Sequence, residues 1–175
     1  STHFLDHLQG RFRLTANNGR IYKYSVLADI LAVVNITEII KGKAPDVLGK
    51  GFGYSRAEAS GTIEKGVLKL TEGFVKGKSV DLAFSGQVDI ARKRMDVVVL
   101  VTPLQTVDSL IDIIPIVNTV LGENFIAIPV RVIGQWSKPA VIPISPSAVG
   151  KGLLGIVKRT LQLPITLMQP LIPDN

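Results

Sequence analysis

Apolar and polar residues alternate with a period of two from Val80 to Val101, and this pattern constrains the fold more than any other feature. Val80, Leu82, Phe84, Val88 and Ile90 are interleaved with Asp81, Ser85, Gln87 and Asp89. Ala91–Arg94 makes a turn, and Met95, Val97, Val99 and Val101 return. A period of two is the side-chain repeat of a β-strand, and a tight connection between two such runs makes them antiparallel neighbours. One face of the pair is then oily and the other polar. The pattern predicts that Leu82, Phe84, Val88, Ile90, Val97 and Val99 share the apolar side. It places Asp81, Asp89 and Asp96 on the polar side, in water.

The same grammar recurs along the chain. Gly61, Thr62, Ile63 and Glu64 lead into Lys65 and Gly66, and Val67, Leu68, Lys69 and Leu70 return, which reads as strand, tight turn, strand. Phe12, Leu14 and Ala16 alternate with Arg11, Arg13 and Thr15. Asn17, Asn18 and Gly19 can adopt the positive φ of a hairpin turn, and Ile21–Tyr24 would return. Phe125–Trp136 is a further strand, with Ile126, Ile128, Val130, Val132 and Trp136 on one side, and Ser137–Pro146, with three prolines, should be extended.

Helical signals interrupt the strands. Ser25 suits the N-cap of Val26–Val34, and Asn35 with Glu38 has capping-box spacing for a second short helix ending at Gly42. Gly42–Gly53 reads as a loop. Thr102 and Pro103 can start a helical stretch with apolar residues at 107, 110, 111, 114, 117 and 121, split by Pro115 and ended by Gly122. Ser147–Leu163 is the last helix, stopped by Pro164. The expected fold is α+β and mainly β. It is a twisted, curved antiparallel sheet of about six to eight strands, able to form a groove, with about three short helical regions on its one oily face.

With 175 residues, a single domain over residues 1–175 is expected. The composition is 46% hydrophobic and only 6% aromatic, so the oil is aliphatic. No apolar run approaches the roughly 20 residues of a membrane-spanning helix. The net charge of +6 suits anionic partners such as lipid headgroups.

Chemistry is scarce. There is no cysteine, and the two histidines, His3 and His7, are both near the start, so no zinc spacing or Ser-His-Asp arrangement can be built around them. No cofactor and no catalytic group is expected. Gly73, Gly77, Lys78 and Ser79 imitate a phosphate loop, but the motif is one residue short and a strand pattern follows where a helix is needed. Gly49, Gly51 and Gly53 lack the strand–turn–helix context of a dinucleotide site and read as a surface loop. A stripe of aromatic residues for base stacking is missing, so nucleic acid is not an expected partner.

The last predicted helix divides cleanly. Val149, Leu153, Leu154, Ile156, Val157 and Leu161 share a broad face, and Lys151, Gly155, Lys158, Arg159 and Gln162 form the opposite stripe. Such a helix either packs its oily face on its own sheet or lies in a membrane interface. In the second case Lys151, Lys158 and Arg159 would meet anionic headgroups.

Several stretches resemble the AsmA-like C-terminal domain. They are Gly19-Arg20-Ile21-Tyr22 followed by Val26–Asn35; Gly51-Phe52 followed by Gly61–Leu68; Ser85–Asp96 followed by Val101-Thr102-Pro103-Leu104; and Gly134–Pro139. The resemblance covers roughly residues 8–163. It implies a piece of a longer Gram-negative envelope protein, anchored in the inner membrane and reaching through the periplasm toward the outer membrane. It further implies a β-rich, non-catalytic body that handles phospholipid or another envelope lipid, in contact with an anionic membrane surface and with other envelope proteins. The alternative is a scaffold that assists outer-membrane assembly without holding lipid.

Overall fold

A computed structural model describes residues 4, 7–22, 25–34, 51–78, 80–104, 125–161 and 165–167. Its elements in chain order are β1 (Gln9–Ile21), α1 (Ser25–Val33), β2 (Phe52–Glu64), β3 (Val67–Gly77), β4 (Val80–Asp89), β5 (Arg94–Pro103), β6 (Phe125–Gln135), β7 (Lys138–Pro143), a 3-10 turn (Pro146–Ala148), α2 (Lys151–Leu161) and β8 (Ile165–Leu167). The strands form an antiparallel meander in the order β1 to β7. The sheet is curved and open, not a closed barrel. The short β8 pairs with β6 in parallel.

The tight turns are where the sequence places them. Lys65 and Gly66, both at positive φ, connect β2 to β3, and Lys93, at φ 53°, closes the β4–β5 connection. The expected hairpin at residues 17–19 does not form. β1 runs through it as one 13-residue strand paired with β2 from Gln9↔Glu64 to Ile21↔Phe52. Asn18, at φ 52°, sits inside the strand. Beside it, the β2–β3 register shifts between Tyr54 and Arg56. Each strand therefore gains an extra residue and resumes with Ile21, Phe52 and Tyr54 on the same side as Ala57. Phe52 and Gly53 open β2 where a loop was expected, and Phe52 is buried in the core.

Two cores lie on opposite faces. On one side Leu82, Val97, Val99, Val101, Ile128, Val130 and Val132 pack with Leu27, Ile30 and Leu31 of α1. On the other, Ala83, Leu100 and Ala127 pack with Leu153, Ile156 and Val157 of α2. This corrects the expectation that the helices share one face. The physical reason is the continuous run Val97–Val101: with no polar residue interleaved, Val98 and Leu100 make a second apolar patch on the otherwise polar side. Among the described residues there are two short helices. The expected helix at residues 35–42 and most of that at 102–122 lie outside the described residues.

Candidate functional site

The apolar face is continuous across the meander. Pairing partners share a face in an antiparallel ladder, so the register carries it from strand to strand. Val130 pairs with Val99, Val99 with Phe84 and Phe84 with Gly73; Gly73 pairs with Ala59, and Ala59 with Leu14. A parallel row runs Met95, Val88, Leu68, Ile63, Gly10.

Helix α1 joins this face beside β7. In the cluster that it joins, Val80, Leu82, Val99, Val101, Ile128 and Val130 are buried. Toward the other strand ends, Phe12, Ile63, Leu68, Leu70, Val88 and Met95 are only half-buried, and Leu14 is 64% exposed. Of the residues singled out from the alternation, Leu82, Val97 and Val99 lie in the α1-side core, and Phe84 and Val88 pack against it half-buried. Ile90 falls beyond β4, in the turn, where its N–H donates to the Gly66 carbonyl at 2.9 Å. Trp136 likewise lies past the end of β6 and is 38% exposed.

Glycines shape this face. A Cβ on Gly73 would fall 2.2 Å from the Phe84 ring, one on Gly19 2.2 Å from the Tyr54 hydroxyl, and one on Gly77 2.6 Å from the Phe52 ring. Three aromatic side chains thus reach over glycine backbone on neighbouring strands, filling space that a side chain would otherwise take. None of these pairs is readable from the alternation alone, because each needs the register.

The polar face carries ion pairs. Arg131 grips Asp96 with two hydrogen bonds, at 2.7 and 2.5 Å, and holds its carboxyl below the usual range. The Arg92 backbone N–H and guanidinium do the same for Asp89. Asp81 departs from the solvated row expected of it: only 7% is exposed, and burial pushes its pKa up to about 6, against the opposing pull of the Gly77 N–H and of Lys76. The Gly73–Ser79 motif has no phosphate-loop geometry, since Gly73–Gly77 is strand β3.

The terminal helix is shorter than expected, beginning at Lys151 after the 3-10 turn. Its apolar face is spent within the domain: Val149, Leu153, Ile156 and Val157 are buried against the sheet. Of the six apolar residues expected to share a face, these four are therefore committed to the sheet in the docked helix, and Leu154 is half-buried beside them. On its outer stripe Lys151 is exposed, while Arg159 reaches Glu72 of β3 at 2.5 Å. Nothing is described of the Lys158 side chain. No helix among the described residues is long and apolar enough to cross a membrane.

At the rim formed by the end of β1, the start of β2 and the β3–β4 connection lies a cavity of about 480 Å³. It is lined by Asn18, Gly19, Arg20, Tyr22, Gly53, Tyr54 and Lys78. Its members come from three separate segments, so no local pattern in the sequence marks it.

A family model described as YhdP protein matches residues 3–141, most of the chain. Comparison with the curated proteins and with the solved structures gives no match in either.

Proposed function

The chain belongs to the YhdP protein family, itself AsmA-like, which suggests a lipid-transport or envelope-related role, and we propose that this domain shields phospholipid acyl chains on the uncovered end of its apolar face. The observation that carries the reading is the partial burial of this face. One apolar face runs through the meander, yet only part of it is buried, and Leu14 is exposed beside half-buried Phe12, Ile63, Leu68 and Met95. Such a strip suits methylene chains, each buried CH2 contributing about 0.8 kcal/mol. The opposite face carries the Asp96–Arg131 pair and, under α2, a closed core of its own. No chemistry is required: the domain acts by burial, as the C-terminal AsmA-like part of an envelope protein working in the periplasm. Its charge of +6 supports contact with an anionic membrane surface.

The test is photo-crosslinking. A photoreactive residue at Leu14 on the apolar strip should capture phospholipid in cells, while one at Ile142, which is 46% exposed on the opposite face, should not. Mass spectrometry of lipid extracted from the purified domain should find phospholipid near one per chain. Lipid-free protein with no capture at Leu14 would remove the reading and favour a scaffold.

A further inference from the structure

We propose that the hairpin end of the sheet is a docking surface for an anionic lipid bilayer, with Lys65, Lys93 and Lys138 meeting phosphate headgroups and Trp136 seated among them. The inference rests on the lipid reading and deepens it by naming the surface through which the domain meets a membrane.

The connections at residues 65–66, 90–93 and 136–137 all lie at one end of the meander, joining β2 to β3, β4 to β5 and β6 to β7. Backbone hydrogen bonds stitch them into one surface. The Lys65 N–H donates to the Leu8 carbonyl at 3.1 Å, the Ile90 N–H to the Gly66 carbonyl at 2.9 Å, and the Trp136 N–H to the Lys93 carbonyl at 3.0 Å. Each turn is thus tied to the next, and their backbones hold fixed positions relative to one another.

The charge on this end is one-sided. Lys65, Lys93, Arg94 and Lys138 are exposed, and none of them forms an ion pair with a described residue. The described acids there are Glu64 and Asp89, and Arg92 already grips Asp89. Two of the cations are held at a conformational cost. Lys65 is at φ 48° and Lys93 at φ 53°, the left-handed region that glycine or asparagine adopts more cheaply. Solubility needs no lysine at such positions, and either sign of charge would serve it. Strain kept at two neighbouring turns, each time at a lysine, points to a role for the charge.

Trp136 selects a bilayer among anionic partners. It is the only tryptophan in the chain, and it is 38% exposed in the third of these turns. An indole beside basic residues is the composition of the membrane–water interface, where the ring sits at headgroup level. The half-buried apolar strip begins directly behind the turns: Ile63 and Leu68 flank the first, and Val88 and Met95 the second. A bilayer docked at this end therefore adjoins the strip that takes acyl chains.

Because no second tryptophan is present, the fluorescence of Trp136 reads this surface directly. The 175-residue chain is titrated with vesicles of phosphatidylglycerol in phosphatidylcholine, with the same vesicles carrying brominated acyl chains, and with vesicles of phosphatidylcholine alone. The anionic vesicles should shift the emission to the blue and the brominated chains should quench it, while phosphatidylcholine alone should do neither. Lys65→Gly combined with Lys93→Gly should weaken partitioning about thirtyfold, at about fivefold for each charge held at an anionic surface. The melting temperature of that variant should hold or rise, because glycine relaxes the left-handed turns, and this separates a role in binding from a role in folding. Arg56→Gln combined with Lys76→Gln, the same loss of charge toward the far ends of β2 and β3, should leave the emission shift in place. Unchanged Trp136 emission overturns the proposal, even if the chain sediments with the anionic vesicles, since the contact would then lie elsewhere, on α2 for example. An equal response to neutral vesicles, or undiminished partitioning of the double glycine variant, overturns it as well. Lipid capture at Leu14 is read separately, so the acyl reading can stand or fall alone.

Discussion

The Phe84 ring lies over Gly73, its antiparallel partner on β3, so closely that a Cβ there would come within 2.2 Å of the ring. The pair sits where the buried part of the apolar face gives way to the half-buried strip. Gly73→Ala forces the ring off its seat and should cost about 1–3 kcal/mol by overpacking. Phe84→Leu makes room, so the double variant should recover part of that loss. Urea unfolding of the two single variants and the double measures the coupling. Strict additivity would mean that the ring and the glycine do not depend on each other.

Asp81 gives the stability a pH signature opposite to that of the other aspartates. Its pKa is raised from 3.8 in the unfolded chain to about 6 in the fold, so between those values the folded state binds more protons. Stability from this group is therefore fully present below about pH 4, falls as pH rises through 6, and is lower by up to about 3 kcal/mol above it. Asp81→Asn removes the charge and keeps an oxygen to accept the Gly77 N–H. The variant should be more stable than the natural protein at pH 8 and should lose most of that advantage at pH 4.5. Equal stability of the two proteins at both values would contradict the burial of this carboxylate.

Asp96 and Asp89 act in the other direction. Arg131 and Arg92 hold their carboxyls below the ordinary value, so the stability they contribute is present above about pH 4 and lost as pH falls below it. Both sides of the Asp96–Arg131 pair are more than 40% exposed, so Asp96→Asn should cost no more than about 1 kcal/mol at neutral pH, and less in high salt. A loss well above that in a urea melt would show that the pair is shielded from solvent in a way its exposure does not reveal.

Much of the meander was legible because period-two alternation is strictly local. Leu82, Val97 and Val99 could be assigned to one side without knowing any partner. What escaped needed the register. Asn17, Asn18 and Gly19 have the composition of a turn, and only their pairing with Tyr54–Arg56 keeps them in a strand. Asp81 alternates correctly, yet it faces the side that Ala83 and Leu100 make apolar, where α2 docks. The signal for that second core was present in the uninterrupted run Val97–Val101, since a strand without polar residues is buried on both faces. The rim cavity had no local signal, because Arg20, Gly53 and Lys78 meet only after β1, β2 and the β3–β4 connection are aligned.

Helix α2 separates a packing role from a membrane role within one element. Ile156 is 2% exposed between Leu100 and the rest of the second core, so Ile156→Ala should destabilise the domain by about 2–4 kcal/mol. Lys151→Gln, at an exposed position, should change stability by no more than about 0.5 kcal/mol. With its apolar face docked, the helix can meet an anionic bilayer only through charge. Each basic residue close to such a surface contributes about 1 kcal/mol, and Arg159 must first leave Glu72. The triple variant Lys151→Gln, Lys158→Gln, Arg159→Gln should therefore sediment less with anionic liposomes than the natural protein. About 0.5 M salt should release the natural protein as well, because the Debye length is then only about 4 Å. Binding that survives this salt would require an inserted apolar face, and hence a helix that leaves the sheet; Ile156→Ala, by loosening the docked state, should then increase it.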